Sequence, residues 1–180
     1  MIKQTTMKKR ADKKQMNYLL KNNNALCYVD VQDILDKQYY IMTNGYTLYA
    51  FKDKPAGTLF KDSPADVQAK GYPRINYMIQ KYISDKKCIK DIQLPSYKEV
   101  CEYIKQYKKD NPKCGDIFNK VKYGNEYIHY DCKNLKEIYE LLGVLECKAY
   151  GLGVIKPMVL VAGDDFALLC PIRHYGKDGN

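Results

Sequence analysis

Tryptophan is absent from this chain, and histidine and arginine are scarce: two histidines, His129 and His174, and three arginines, at 10, 74 and 173. Two imidazoles offer little for a metal site or for the general-base chemistry that most often recruits histidine. Scarce arginine weighs against base readout, which relies on planar, bidentate donors. The seven cysteines, at 27, 88, 101, 114, 132, 147 and 170, contain no C-x-x-C pair. An odd, scattered set is expected to be buried thiols in a reducing compartment, with neither a disulfide framework nor a zinc site. No apolar run reaches membrane-spanning length, and the polar, basic first ten residues lack the apolar centre of a signal peptide. The expectation is a cytoplasmic protein with no membrane contact, no metal and no cofactor.

Lysine and tyrosine are what the chain has in quantity. Its 30 basic residues are almost all lysine and face 21 acidic ones, so the net charge is +9. Mobile lysine charges suit sequence-blind attraction to phosphate. The same composition also follows from an AT-rich coding sequence, which accounts for much of the lysine count. With 18 tyrosines and 46% hydrophobic residues, the core and its rim should be built largely from amphipathic aromatics. A length of 180 residues accommodates one large domain, or one domain and part of a second.

The apolar spacing predicts a helix over 11–21, with Met16, Leu19 and Leu20 inside and Lys8, Lys9, Lys13 and Lys14 on a basic outer face. Strands are expected at 25–31 and 37–43. Asn44-Gly45 between apolar runs predicts a two-residue type I′ hairpin, because both central positions of that turn need positive φ. Residues 52–72 have no steady period and read as a long loop, and 88–94 as a strand. Ser96 and Glu99 form a capping box that opens a helix over 96–109, with Lys98, Lys105, Lys108 and Lys109 outward. Strands at 117–123 and 126–130 should pair across Gly124-Asn125, and a helix over 133–142 should stop at Gly143. A strand at 144–150 precedes a terminal hairpin, whose runs 157–162 and 166–172 flank Gly163-Asp164-Asp165. Helices separated by antiparallel groups of strands indicate an α+β fold. No internal repeat is visible by identity.

Catalysis finds little support in these residues. His129 and Asp131 share one face of a strand and could form a general base, but no nucleophile motif stands near them. Asp164-Asp165 beside Gly163 reads as a turn, and Gly151-Leu152-Gly153 lacks the third glycine and helix of a phosphate loop. Tyrosines alternate with lysines over 97–109, yet their spacing places the rings mainly on the apolar side, as core packing.

Two motifs carry a family resemblance. Leu168, Leu169, Cys170, Pro171, Ile172 and Arg173 match, in order, the apolar strand and apolar-Pro-apolar-Arg tail that close the bacterial DNA polymerase III β subunit, the sliding clamp. Thr43, Asn44, Gly45, Tyr46, Thr47 and Leu48 resemble that family's Thr-Asp-Gly-x-x-Leu turn, with Asn for Asp and Tyr-Thr where His-Arg is usual. Tyr72, Pro73, Met78 and Ile79 fit its interdomain segment more loosely. The resemblance covers roughly 25–82 and 126–173 of a chain about half as long as a clamp subunit.

The resemblance implies a DNA-clamp-like α+β fold, with antiparallel sheets and helices on one face, in two halves, 1–85 and 86–180, or one compact domain. It implies a non-enzymatic replication accessory protein whose partners are duplex DNA and the short peptides of a DNA polymerase or other clamp-binding proteins. DNA would be met by Lys8, Lys9, Lys13, Lys14, Lys98, Lys105, Lys108 and Lys109. Partner peptides would enter a pocket formed by Thr43, Gly45, Tyr46, Leu48, Leu169, Cys170, Pro171, Ile172 and Arg173. Closure into a ring as a homo-oligomer is left open. The alternatives are a basic, sequence-nonspecific nucleic-acid-binding module that forms no ring, and a small hydrolase using His129 and Asp131.

Overall fold

A computed structural model of the chain describes residues 4–21, 30–34, 36–55, 79 and 90–172. The fold is α+β: among the described residues three helices are complete enough to bound, with antiparallel sheets. In chain order the elements are α1 (Gln4–Lys21), β1 (Asp30–Ile34), β2 (Lys37–Thr43), β3 (Thr47–Phe51), β4 (Lys90–Ile92), α2 (Tyr97–Asp110), β5 (Phe118–Tyr123), β6 (Glu126–Asp131), α3 (Cys132–Leu142), β7 (Lys148–Gly151), β8 (Met158–Ala162) and β9 (Asp165–Leu169). Among the described residues no helix is long and apolar enough to cross a membrane.

Among the described residues, seven strands form one antiparallel sheet in the order β1-β2-β3-β9-β8-β7-β4, and β5 with β6 forms a separate hairpin. The centre of the large sheet is non-local. β3 pairs with β9, Thr47 opposite Leu169 and Ala50 opposite Phe166. The halves expected to meet near residue 85 therefore share one sheet. Its order also contains a duplication that identity does not reveal. α1 leads into β1-β2-β3 and α3 leads into β7-β8-β9, the last strands of the two units lie side by side, and α1 packs on α3.

Period-two alternation gives the sheet two apolar faces. Met42, Tyr49, Phe51, Ala149, Met158, Leu160, Ala167 and Leu169 turn toward the helices and join Met7 and Tyr18 of α1, Tyr97 and Val100 of α2, and Leu135, Ile138 and Leu141 of α3. Tyr39, Ile41, Leu48, Ala50, Val159, Phe166 and Leu168 point the other way, where Ile79 packs against them. α1, α2 and α3 thus pack on one face, whereas Ile79, itself helical, packs on the other.

The helix ends follow the local chemistry. Ser96 accepts from the Glu99 N–H while Glu99 accepts from the Ser96 N–H, the reciprocal pair of a capping box. Asp131 caps α3, and Gly143 ends it in the left-handed region at φ +70°. α1 begins seven residues earlier than its sequence pattern suggests, because Met7 and Ala11 continue the buried stripe toward Tyr18. The side chains of Met16, Leu19 and Leu20 lie outside the described set, as do residues 25–29 and 88–89 of two expected strands.

Three expectations require correction. Asn44-Gly45 is not a two-residue type I′ turn. Only Gly45 has positive φ (+91°), and the three residues 44–46 separate the strands, with the Asn44 N–H on the Thr47 carbonyl at 3.3 Å and Gly45-Tyr46 at the tip. The Asn44 carboxamide oxygen accepts from the N–H groups of Tyr46 and Thr47 and from the Thr47 hydroxyl, which holds the wider loop. Residues 144–147 are not strand. The Val144 N–H bonds the Tyr139 carbonyl and the Leu145 carbonyl accepts from Tyr97, so this backbone serves two helix ends. The last strand stops at Leu169, short of 172, because the tail leaves the large sheet.

Candidate functional site

Burial of Met7, Ala11 and Tyr18 against α3 and the sheet, where Tyr18 meets the Tyr49 ring edge-on, decides what α1 shows to solvent. Lys8, Lys9, Arg10, Lys13 and Lys14 stand on its exposed side. The helix as a whole carries six cations against a single Asp12. The lysines of α2, Lys98, Lys105, Lys108 and Lys109, are also exposed, but Glu99, Glu102 and Asp110 offset three of the four. Lys98 pairs with Glu102 at 3.7 Å, and Lys108 and Lys109 fall in the last turn, where cations complement the helix dipole. Of these two helices, α1 therefore carries the larger positive charge.

Between α1 and α3 lies a groove of about 350 Å³, lined by Arg10, Lys13, Lys14, Asn17, Tyr18, Glu137 and Glu140. At its floor is Glu140, only 7% exposed. Its carboxylate takes the Tyr97 hydroxyl at 2.9 Å and the Lys14 ammonium at 2.8 Å, with Lys136 at 3.5 Å. Arg10 donates to the same Tyr97 oxygen at 3.3 Å. Burial pushes the Glu140 carboxyl up, but the bonds from Lys14 and Tyr97 and the charge of Lys136 outweigh it and hold the group below the ordinary carboxylate range. Lys14 is thus partly committed to the fold, which leaves Lys8, Lys9, Arg10 and Lys13 for an external anion. Arg10 escaped the sequence reading, although its spacing of three and four residues from Lys13 and Lys14 marks the same face.

The turn and the tail, far apart in sequence, meet in space. The Cys170 N–H bonds the Tyr46 carbonyl at 3.2 Å, continuing the β3–β9 ladder for one more residue. Pro171 donates nothing, and the Ile172 N–H then bonds the His129 carbonyl of β6 at 2.8 Å. The tail thereby crosses from the large sheet to the hairpin. Tyr46 projects into solvent at 69% exposure, and Cys170, Pro171 and Ile172 are half-buried beside it.

The remaining residues assigned to the pocket do not converge there. Leu48 and Leu169 face opposite sides of the sheet, Leu48 with Ile41 and Leu168, and Leu169 among the helices with no exposed surface. An offset of one in the β3–β9 register, Leu48 opposite Leu168, is the cause. Thr43 is buried and donates its hydroxyl to the Thr47 carbonyl at 2.6 Å, which leaves Gly45 and Tyr46 as the exposed crest of the loop. Arg173 lies outside the described residues.

His129 and Asp131 have structural employment. The Asp131 carboxylate accepts the Lys133 N–H at 2.6 Å as the cap of α3, and the His129 carbonyl receives the tail. Among the described residues no group of three or more His, Cys, Asp or Glu is placed to hold a metal ion. Of the described cysteines, only Cys114 is exposed; burial pushes the Cys132 thiol up to about 12 and the Cys147 thiol up to about 11. Comparison with protein-family models, with curated proteins and with solved structures finds no match for this chain.

Proposed function

We propose that this chain is a non-enzymatic accessory protein of DNA replication, clamp-like in plan, which tracks duplex DNA through phosphate contacts and receives short partner peptides at the turn–tail rim. One observation carries the reading: two helix-plus-three-strand units joined through β3 and β9, with their helices on one face and a cationic α1 among them. Helix-plus-strand half-units with helices gathered on one side are the plan of clamp domains. Lysines on such a layer attract phosphate without fixing register, so the protein slides rather than docks. The rim built from Tyr46, Cys170, Pro171 and Ile172 offers a partner peptide an aromatic and an apolar anchor beside a strand end. Work of this kind belongs in the cytoplasm and needs no cofactor.

A second reading has its own support. The charge is lopsided, heavy on α1 and nearly balanced on α2, as befits a basic module that lies on one side of a duplex without encircling it. Molar mass in solution, combined with retention on nicked circular plasmid before and after linearisation, separates the two. A ring-sized oligomer lost on linearisation supports the clamp. A monomer that binds circular and linear DNA alike supports the module, and absence of DNA binding defeats both.

A further inference from the structure

We propose that the outer face of the β5–β6 hairpin is a stacking platform for single-stranded nucleic acid, separate from the α1 face and independent of ring formation. The hairpin register sets Lys122 opposite Tyr127 and Lys120 opposite His129. Alternation then gathers these four side chains on one face, while Val121, Ile128 and Tyr130 turn into the core. Lys120, Lys122 and Tyr127 are exposed, and the Tyr127 side is open to 49% in a chain whose other described tyrosines are mostly buried or half-buried.

The chemistry on this face suits an unpaired strand. Lys120 Nζ lies over one face of the Tyr127 ring, 4.4 Å from its centre; a base that stacks there displaces the ammonium, which then meets that nucleotide's phosphate. Every base has a π-face to offer a tyrosine, and each phosphate a charge to offer a lysine, so such a platform is indifferent to sequence. A duplex keeps its base faces covered, which makes a single strand the occupant. Of the hairpin's own acids, Glu126 alternates to the opposite face, so Lys120 and Lys122 stand against the one carboxylate of Asp131, at the far end of the row where it caps α3.

Rigidity is also provided. An isolated two-stranded hairpin is marginal in water, but this one is held from below by three buried side chains and at its edge by the Ile172–His129 bond. Half-buried His129 continues the row from Tyr127 along the same strand and extends the platform by one position.

The test uses the full chain, a fluorescent oligo(dT) of about 16 nucleotides and an unrelated duplex. Tyr127→Ala should weaken oligo(dT) binding about five- to a hundredfold and leave duplex binding unchanged. Tyr127→Phe, which keeps the ring, should bind like the parent. Lys120→Ala with Lys122→Ala should lower the salt slope for oligo(dT) by about 1.4, two phosphate contacts' worth on a single strand. Equal melting temperatures confirm that the variants fold, as expected for exposed positions. Oligo(dT) binding unaffected by Tyr127→Ala, or an abasic oligomer bound as tightly as oligo(dT), overturns the proposal. Loss of oligo(dT) and duplex together in Tyr127→Ala also overturns it, because the two would then share one site. Duplex binding that fails while oligo(dT) still depends on Tyr127 defeats the α1 reading alone.

Discussion

Replacing Glu140 by Gln tests how the basic helix is held. The substitution preserves shape and leaves one oxygen for the Tyr97 hydroxyl, but sets an amide donor against the Lys14 ammonium, now 2.8 Å from a carboxylate oxygen. A hydrogen bond to a charged group contributes about 1.5–3 kcal/mol. Lys14 is nearly half exposed, so the lower end applies. A loss of about 1.5–2 kcal/mol lowers the melting temperature of a chain this size by roughly 3–8 °C. The pH dependence identifies the cause. Because the folded carboxyl sits below its ordinary value, its contribution is fully present above the unfolded value of about 4.3 and disappears as pH falls through the folded one. Calorimetric melts of parent and Glu140→Gln should therefore differ by a constant amount above about pH 5 and converge in acid. Equal melting temperatures at neutral pH, or a gap that widens in acid, would refute the reasoning.

Gly143→Ala forces a β-carbon into a left-handed cap and sets it 3.1 Å from the Ala11 β-carbon, so chemical denaturation should register a loss of about 1–2 kcal/mol. Leu48→Ala and Leu169→Ala remove core side chains from opposite faces and should each cost about 2–5 kcal/mol, whereas Tyr46→Ala at the exposed loop crest should stay within about 0.5 kcal/mol. Equal losses for all three in denaturant melts would contradict the division between core and rim. Thiol labelling followed by peptide mass analysis should modify Cys114 well before Cys132 and Cys147, whose raised pKa values and burial suppress the thiolate. Early labelling of Cys132 would show that the helix face opens.

Local chemistry was readable in the sequence wherever one residue type can do one job. Ser96 and Glu99 announce α2, Gly143 announces the end of α3, and both behave as written. Asn44-Gly45 misleads because the Asn side chain has an alternative to positive φ: it accepts three hydrogen bonds and holds a wider loop. The expectation that turn and tail meet rested on a resemblance, and their adjacency comes from β3–β9 pairing across more than a hundred residues, which no local pattern encodes. That pairing also set Leu48 and Leu169 back to back, since a strand's side chains alternate and only the register decides which face each takes. Glu140 carries no signal of its own in the sequence. Its burial depends on two cations and a phenol drawn from α1, α2 and α3 itself, with Arg10 behind the phenol. The duplicated plan stayed hidden because packing constrains polarity and size at each position rather than identity.

The salt dependence of duplex binding tests the central claim most directly. Affinities for two unrelated duplexes, measured between about 50 and 200 mM salt, should agree with each other and fall steeply. Each phosphate contact removed takes about 0.9 from the slope, so Lys8→Ala, Lys9→Ala and Lys13→Ala together should reduce it by about 2.7. Lys98→Ala, whose ammonium is already paired with Glu102, should change it by less than about one. Binding that ignores salt, that prefers one duplex, or that keeps its slope in the triple α1 variant would contradict the account.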